Sequence, residues 1–381
     1  MRRAQALLSL ILGLGVLACG GGGSSPGGGG TGGGGGTPAD PWASVTTAIQ
    51  AAQPRFPGGL AVEVLTPAGV VYSKSFGGFT NTTYAAVASS SKMVCGTVLL
   101  QLVDKGILGL DTRTSDLLVD RQGRPWSGAM GQVRLRHLLS FTSGISGYVD
   151  ASEPADITLD EAVTRIYEDQ RSTASAPGSY FYYGNTHLRI AARMAEVATG
   201  KPWRTIFYEQ LQAPLQWGLF STYGGGTNPS PGGSLACTGQ EYTRFLMMQL
   251  RKGLDGSKRL LPESLIAQQR SDALGLSTPL AYTPYATTGR VNHYGFGGWV
   301  ETANGMAPSP SNPVQRFSST GKLGWAPWIE VGSGQAWAAV IMCQQEDQLW
   351  SFLPSEDLKL QLAGLIPAAL AQNPPVVRTV P

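Results

Sequence analysis

Histidine is scarce in this chain of 381 residues, which contains only His137, His187 and His293. Four cysteines are present, and none stands at the spacing from a histidine or another cysteine that is typical of a metal site. Cysteine and histidine supply most of the ligands of zinc in proteins, so the sequence argues against a zinc site. We therefore expect neither a metal ion nor another cofactor.

Charged side chains are also sparse, at 14% of residues, and the two signs nearly balance. The formal net charge of +3 falls to +1 if Arg2 and Arg3 are removed with the amino-terminal leader described below. A protein with this balance has no extended basic field to hold a phosphate backbone. The sequence therefore argues against nucleic acid as a partner, and its hydrophobic content of 42% is that of a globular protein.

The first apolar run, Ala4 to Ala18, is shorter than the roughly 20 residues that a membrane-spanning helix needs. It follows a basic start and precedes Cys19, which is the order of a cleaved signal peptide. Residues Val16 to Cys19 resemble the lipobox of bacterial lipoproteins, in which the cysteine becomes the first residue and carries the lipid. We therefore predict a signal peptide at 1–18 and a protein of the bacterial cell envelope. Lipid on Cys19 would anchor it to a membrane, facing the periplasm or the exterior, and a plain secretory leader with an incidental cysteine is the alternative.

Glycine is concentrated in one segment, because 13 of the 51 glycines lie between Gly20 and Gly36. This segment has no apolar side chain to bury, so it cannot offset its own conformational entropy by folding. We predict a flexible linker over 19–39, with a root-mean-square span of roughly 20 to 25 Å. A folded body at 40–372 and a tail at 373–381 follow it.

Three cysteines lie in the predicted body, namely Cys95, Cys237 and Cys343. In an oxidising envelope two of them could pair, and an odd number leaves one thiol over. The sequence does not assign the partners. The alternative is that all three are buried free thiols.

The hydrophobic pattern of the body changes from strands to helices and back to strands. Extended apolar runs predict strands at 60–65, 70–76, 294–302, 315–319, 326–331 and 335–343. Helical spacing predicts helices at 43–53, from Ser89, at 160–169, 186–199, 240–252 and 262–270, and from Ser355. We therefore predict an α/β (α+β) fold. An antiparallel sheet from about 40–88 and 285–372 would be flanked by helices and joined to an all-helical subdomain at about 89–284.

Ser89 and Lys92 are the first candidates for chemistry. If the helix begins at Ser89, these two side chains lie on one face of it, within reach of each other. A helix amino terminus favours negative charge, and it would stabilise a serine alkoxide and an oxyanion. Lysine titrates near pH 10.4 and acts as a base at neutrality only when it is desolvated, which the apolar residues that follow would achieve. A second Ser-x-x-Lys, Ser319 to Lys322, runs through Gly321 in a strand-and-turn region, where the two side chains are not expected to face each other.

Tyr183 and Asn185 are the next candidates, in a loop directly before a predicted helix. A tyrosine hydroxyl beside an ammonium can have its pKa lowered, and it can then carry a proton between the serine and a leaving group. The amide of Asn185 can donate a hydrogen bond to a substrate carbonyl. The alternative is that the run Tyr180 to Tyr183 is an aromatic cluster that covers the core.

Further motifs lie before and after these residues. The order along the chain is Ser89 and Lys92, His137 to Gly144 (HLLSFTSG), Pro177-Gly178, Tyr183 and Asn185, Tyr294 to Gly297 (YGFG) and Ser319-Thr320-Gly321. In that order they resemble the penicillin-recognising serine hydrolases, which include class C β-lactamases, D-alanyl-D-alanine carboxypeptidases and related esterases. The resemblance covers roughly 40–372 and implies a β-lactamase/transpeptidase-like fold.

The resemblance also implies roles for individual residues. Ser89 would be the acylated nucleophile, and Lys92 and Tyr183 would transfer protons. Asn185 would orient the substrate. The remaining substrate-binding residues implied are Ser319, Thr320, Gly321 and Lys322. The backbone N–H groups of Ser89 and Lys322 would form the oxyanion hole, whereas His137 would be a packed, hydrogen-bonded residue without a catalytic role.

The third motif departs from the family pattern. β-Lactamases and carboxypeptidases usually carry lysine at the position of Ser319, and many esterase-like members carry histidine there. A lysine would attract the carboxylate of a penicillin or of a terminal D-alanine, and its loss costs on the order of 1 to 3 kcal/mol. We therefore expect hydrolysis of a small-molecule or peptidoglycan-like ester or amide without that anion, although Arg316 could restore the charge.

Three other functions stay open at this point. The protein could be a D-alanyl-D-alanine carboxypeptidase, a class C-like β-lactamase, or an inactive lipoprotein that binds or senses such ligands. A Ser-His-Asp triad is the chemical rival, but the predicted body contains no Gly-x-Ser-x-Gly elbow.

Overall fold

The structure is a computed structural model, and it describes residues 40–275, 277–288, 293–332, 334–346 and 351–372. The predicted signal peptide, the linker with Cys19 and the carboxy-terminal tail lie outside the described residues.

The predicted helices and most of the predicted strands are present in the predicted order. The strand predicted at 294–302 is wrong, because two short strands joined by a turn lie there, and several short helices and strands between 85 and 282 were not predicted. The α-helices are α1 (Ala43–Ala52), α2 (Ser91–Asp104), α3 (Thr114–Leu117), α4 (Gly128–Gln132), α5 (Leu135–Leu139), α6 (Leu159–Gln170), α7 (Thr186–Thr199), α8 (Trp203–Phe207), α9 (Gly239–Leu250), α10 (Glu263–Arg270) and α11 (Leu353–Gln372). The strands are β1 (Leu60–Thr66), β2 (Gly69–Phe76), β3 (Ala85–Ala86), β4 (Phe181–Tyr182), β5 (Ala236–Cys237), β6 (Leu254–Asp255), β7 (Lys258–Arg259), β8 (Leu280–Tyr282), β9 (His293–Tyr294), β10 (Trp299–Thr302), β11 (Val314–Ser318), β12 (Ala326–Glu330) and β13 (Trp337–Met342).

The main sheet has seven antiparallel strands in the order β2-β1-β13-β12-β11-β10-β9. The first two strands come from the start of the body, and the other five come from its last third. The predicted assembly of the sheet from both ends of the chain is therefore confirmed. This topology places the residues that follow β11 beside the start of α2, and the candidate motifs meet there.

Strand β1 is buried on both faces because helices cover both sides of the sheet. Side chains alternate between the two faces of a strand. Val62 and Val64 accordingly belong to the core under α1 and α11, whereas Ala61 and Leu65 belong to the larger core under α2 and α9. This double burial explains why β1 is apolar at most positions rather than at every second one.

Helix α2 is the central helix of the larger core, and all of its residues from Ser91 to Leu102 are buried. Around it lie the other helices of the middle of the chain. The expectation that this part is all helical is not met in full, because β4 pairs with β8 and β6 pairs with β7 within it. Strands of two or three residues are too short to show a period in the sequence.

Two further expectations concern the whole body. Cys95, Cys237 and Cys343 are all buried free thiols, which is the second of the two alternatives. Across the described ranges, each helix is too short or too polar to cross a membrane.

Candidate active site

Ser89 lies in a single 3-10 turn, Ala88–Ser90, that leads into α2. The helix itself begins at Ser91, so the prediction that it begins at Ser89 is wrong by two residues. The cause is Ala88, whose φ of +46° lies in the left-handed region that residues other than glycine rarely adopt. Such strain concentrates at functional sites, and here it turns Ser89 toward a cleft while Ser90 is fully buried.

The turn is anchored to the sheet by its own serines. Ser90 donates from Oγ to the carbonyl oxygen of Ser319, at 2.6 Å. In return, Ser319 donates from Oγ to the carbonyl oxygen of Ser89, at 2.8 Å. These two bonds fix the position of Ser89 relative to the end of β11.

Lys92 is buried next to Ser89, and its ammonium has three hydrogen-bond acceptors. Its Nζ atom lies 3.0 Å from Ser89 Oγ, 2.9 Å from Asn185 Oδ1 and 2.6 Å from the carbonyl oxygen of Gly232. Burial lowers the pKa of Lys92 to about 7, because the charged form loses its hydration. No carboxylate of the described residues pairs with this ammonium to oppose that effect. At neutral pH a large fraction of Lys92 is therefore an uncharged amine that can accept a proton from Ser89.

Tyr183 completes a cluster with Ser89 and Lys92. Its phenol interacts with the side chain of Ser89, and the Nζ atom of Lys92 lies 4.8 Å from the centroid of its ring. The expected lowering of the Tyr183 pKa is wrong, because burial raises the pKa of this phenol well above its ordinary value. Tyr183 is thus a protonated hydrogen-bond donor near neutrality, able to relay a proton but not present as a phenolate.

The loop that carries Tyr183 and Asn185 is held by backbone contacts with Gly147. The N–H groups of Asn185 and Thr186 both donate to the carbonyl oxygen of Gly147, at 2.9 and 3.0 Å. A Cβ atom on Gly184 would lie 2.1 Å from that oxygen, so the approach requires glycine. Asn185 is therefore presented to Lys92 from a rigid loop end, at the start of α7.

His187 supports the same loop, a role that the sequence pattern does not predict. Its Nδ1 lies 2.8 Å from Ser143 Oγ and its Nε2 lies 2.7 Å from the carbonyl oxygen of Tyr182. The ring stacks on Phe141, with centroids 4.8 Å apart. Burial lowers the pKa of His187 to about 4, so the imidazole is neutral in the folded protein at pH 7. The available signal was its position two residues after Asn185.

The third motif follows β11 and lies against the turn before α2. A Cβ atom on Gly321 would lie 2.3 Å from the carbonyl oxygen of Val87, so only glycine permits this contact. Thr320 donates from Oγ1 to the carboxylate of Glu356 in α11. Thr320 and Lys322 line the cleft together with Ser89. An oxyanion hole formed by the N–H groups of Ser89 and Lys322 stays a prediction.

Arg316 does not take the place of the missing cation. Its Nε lies 2.7 Å from Glu330 Oε1, and its Nη1 lies 3.8 Å from Glu301 Oε2. It lines a separate cavity of about 250 Å³ on the other side of Tyr285 and Trp299. His293 lies 2.8 Å from Asp272, as the histidine of a Ser-His-Asp triad would lie from its aspartate, but neither residue lines the cleft.

A buried charge cluster behind the third motif was also missed. Lys359 Nζ lies 2.6 Å from Glu301 Oε1 and 3.0 Å from Glu356 Oε2. Glu356 also accepts a hydrogen bond from the hydroxyl of Tyr285, at 3.1 Å. It therefore connects the cluster to two residues of the cleft, Thr320 and Tyr285. The sequence signal was a glutamate and a lysine three residues apart in the apolar last helix.

The cleft beside Ser89 has a volume of about 480 Å³, within the range of small-molecule sites. The residues that line it are Ala88, Ser89, Tyr148, Tyr183, Asn185, Gly233, Tyr282, Pro284, Tyr285, Trp299, Thr320, Lys322 and Phe352. Ser89, Tyr183 and Asn185 thus share one cleft, and Lys92 lies directly beneath Ser89. The site combines a serine hydroxyl, a buried amine and a phenol, a set of groups that is suited to covalent acyl transfer.

Sequence comparison relates the chain to known proteins. The Beta-lactamase family model matches residues 47–363. The chain is 28% identical over 224 residues to penicillin-binding protein 4 of Amycolatopsis lactamdurans, a match that covers 49% of this chain and 56% of that protein. It is 30% identical over 130 residues to esterase EstB of Burkholderia gladioli, covering 30% of this chain and 32% of that protein. The chain thus spans about half, or less, of the length of these curated relatives.

Similarity to a solved structure extends over nearly the whole fold. A crystal structure of a candidate β-lactamase from Bacteroides dorei superposes with a TM-score of 0.72 and 28% sequence identity. The match covers 86% of this chain and 99% of that one. The fold is therefore the β-lactamase/transpeptidase-like fold that the motifs predict, and the chain belongs to the β-lactamase family of serine hydrolases.

Proposed function

We propose that this protein hydrolyses an ester or an amide through an acyl-enzyme on Ser89, with the character of an esterase. One observation carries the proposal: the Nζ atom of Lys92 lies 3.0 Å from Ser89 Oγ, and burial lowers the pKa of that lysine to about 7. A serine hydroxyl is a weak nucleophile unless a base takes its proton, and Lys92 is the base within reach.

In the acylation step, Ser89 Oγ attacks the carbonyl carbon of the substrate and its proton passes to the neutral amine of Lys92. The carbonyl π bond becomes an oxyanion, which the N–H groups of Ser89 and Lys322 would stabilise. The intermediate then collapses, and the bond to the leaving group breaks. The proton reaches the leaving oxygen or nitrogen through the hydroxyl of Tyr183, which stays protonated because burial raises its pKa.

In the deacylation step, water replaces the leaving group in the same geometry. It gives one proton to Lys92, directly or through Tyr183, and its oxygen attacks the acyl carbon. The bond to Ser89 Oγ then breaks, and the proton returns to that oxygen. The products are the free acid and the regenerated serine, so the cycle needs no cofactor.

Two residues, Ser319 and Arg316, support the proposal that the substrate is an ester or amide without a nearby carboxylate. Ser319 has no charge, and its hydroxyl donates to the backbone of Ser89. Arg316 is paired with glutamates outside the cleft. A substrate carboxylate would therefore find no cation at either position, which disfavours penicillins and peptides that end in D-alanine.

A panel of substrates tests the proposal. Short-chain esters, D-amino-acid amides and a chromogenic cephalosporin are offered to the wild type and to Ser89→Ala. We expect multiple turnovers of the esters by the wild type only, with the cephalosporin cleaved at least tenfold less efficiently. Efficient cleavage of the cephalosporin would identify a β-lactamase, and cleavage of the D-alanyl amides a carboxypeptidase. Stable acylation without turnover would identify a sensor.

We also propose that Cys19 carries a lipid that anchors the protein in the bacterial cell envelope. The support is the order of a basic start, an apolar run and a cysteine in the sequence. Growth with an alkyne-bearing fatty acid should label the wild type but not Cys19→Ala. Equal labelling of both proteins would contradict the anchor.

A further inference from the structure

Aromatic side chains make up an unusual share of the cleft. Besides Tyr183, five of the residues that line it are aromatic: Tyr148, Tyr282, Tyr285, Trp299 and Phe352. Among the residues that the structure describes, no aspartate or glutamate lines the cleft. A pocket of this composition binds ligands mainly through apolar surface, with a few polar groups to orient them.

One group of these rings forms a fixed wall that begins at the proton-transfer residues. Trp299 stacks on Tyr183 with centroids 5.0 Å apart, and Tyr285 meets Trp299 edge-on at 5.0 Å. Phe352 continues the row by meeting Tyr285 edge-on at 5.5 Å. All four rings are almost fully buried, and the Tyr285 hydroxyl is tied to Glu356. The wall is therefore rigid before any ligand arrives, so little conformational entropy is lost on binding.

The other group is exposed to solvent. Tyr148 is 45% exposed and Tyr282 is 42% exposed. Their rings meet edge-on with centroids 6.3 Å apart, and Tyr282 also stacks on Tyr182 at 5.3 Å. These contacts fix the orientation of two large apolar faces at the mouth of the cleft. A ligand that covered them would bury apolar area that the free protein leaves in water.

We infer that the substrate carries an uncharged, planar aromatic ring close to its scissile carbonyl, and that this ring binds among the aromatic residues of the cleft. The inference rests on the proposed acyl-enzyme function and names the class of substrate that this site takes. Aromatic rings gain from offset-stacked and edge-on contacts beyond the gain from buried area. A saturated ring of the same size obtains the buried area but not these contacts.

Two pairs of esters separate the contribution of aromatic contacts from the contribution of buried area. Ethyl phenylacetate and ethyl cyclohexylacetate differ only in the ring on the acid side, and benzyl acetate and cyclohexylmethyl acetate differ only on the alcohol side. Acid release is followed with a pH indicator, and each kcat/KM is divided by the rate constant for hydrolysis by hydroxide. In one of the two pairs, on the acid side or on the alcohol side, we expect the corrected kcat/KM of the aromatic ester to exceed that of the saturated ester about 2- to 10-fold. On that side, the aromatic ester should exceed ethyl acetate about 10- to 100-fold.

Variants then locate the preference. Tyr282→Leu keeps an apolar side chain but removes one of the two exposed rings, and it should lower the ratio of aromatic to saturated ester. Tyr208→Leu is the matched control, because Tyr208 is 46% exposed and lies outside the lining of the cleft. It should leave the ratio unchanged.

If the corrected kcat/KM values were equal within both pairs of esters, the aromatic preference would be overturned. The acyl-enzyme proposal would still hold if Ser89→Ala abolished this turnover. A preference that Tyr282→Leu does not alter would also overturn it. Turnover that persists in Ser89→Ala would overturn the acyl-enzyme proposal and the inference with it. The absence of turnover of every ester would overturn the proposed esterase character, and the inference would fall with it.

Discussion

The Nζ atom of Lys92 lies 3.0 Å from the Oγ atom of Ser89, inside the protein and without a carboxylate partner among the described residues. A lysine in water would be charged and could not act as a base. The burial of Lys92 changes this, because it lowers the pKa to about 7 while the side chain keeps three hydrogen-bond acceptors. The same contact thus positions the serine and supplies the base.

The pH dependence of catalysis should follow the protonation state of Lys92. Only the neutral amine accepts the proton of Ser89, so kcat/KM for an uncharged ester should rise with pH and level off above about 7. Lys92→Arg should lower kcat/KM by about 10²- to 10⁴-fold and remove this inflection, because arginine stays charged. Lys252→Arg, at an exposed ion pair with Glu263, should keep the wild-type profile. An inflection near 7 that survives in Lys92→Arg would assign the base to another group.

Removal of the Tyr183 hydroxyl should impair catalysis but not folding. Tyr183→Phe keeps the ring that stacks on Trp299 and removes the hydroxyl group that interacts with Ser89. We expect kcat to fall about 10²- to 10⁴-fold, as for the loss of a proton-transfer group. Tyr294→Phe is the matched control, because the buried Tyr294 hydroxyl has no hydrogen-bond partner in the described structure. Its kcat should stay within about twofold of the wild type, and equal losses in both variants would contradict a proton relay.

The contact between Ser89 and Lys92 could be predicted from the sequence because it is local, whereas the contact between Lys92 and Asn185 joins segments that are 93 residues apart and was implied only by the family resemblance. Ser89 and Lys92 are three residues apart before a strongly apolar helix, and Tyr183 and Asn185 lie in one short loop. The start of α2 was placed two residues early because a left-handed residue such as Ala88 leaves no trace in hydrophobic periodicity.

Other features depend on contacts between distant segments. The pKa of Tyr183 moves opposite to expectation because Trp299, more than 100 residues away in the chain, helps to bury its ring. In the same way, Arg316 is not available to a substrate because Glu330, on the neighbouring strand, pairs with it. Neither partner is apparent from the local sequence of the motif it affects.

The charge cluster behind the third motif should matter for stability. Lys359 is buried between Glu301 and Glu356, so Lys359→Met would remove the buried cation that these two carboxylates share. We expect the free energy of unfolding to fall by about 3 to 5 kcal/mol. Lys201→Met, at an exposed pair with Glu209, should change it by less than about 1 kcal/mol. Urea denaturation of both variants measures this, and a loss below about 1 kcal/mol for Lys359→Met would contradict a structural role for the cluster.

His187 should make the fold sensitive to acid. Its folded-state pKa of about 4 lies below the ordinary value of 6.5, so the unfolded chain binds a proton more readily. The stability that comes from this residue is fully present above pH 6.5 and is lost as the pH falls from about 6.5 to 4, up to about 3 kcal/mol. Urea denaturation at pH 7.0 and 4.5 should show a smaller pH effect in His187→Gln than in the wild type. The same pH effect in both proteins would show that His187 is not held neutral.

The central claim is that Ser89 is the residue that becomes acylated. The protein is treated with a fluorophosphonate, its intact mass is recorded, and the modified peptide is sequenced by tandem mass spectrometry. We expect one adduct per chain, located on Ser89, that forms more than tenfold more slowly in Lys92→Arg and is absent in Ser89→Ala. An unmodified wild type, or an adduct on another serine such as Ser90 or Ser319, would contradict it.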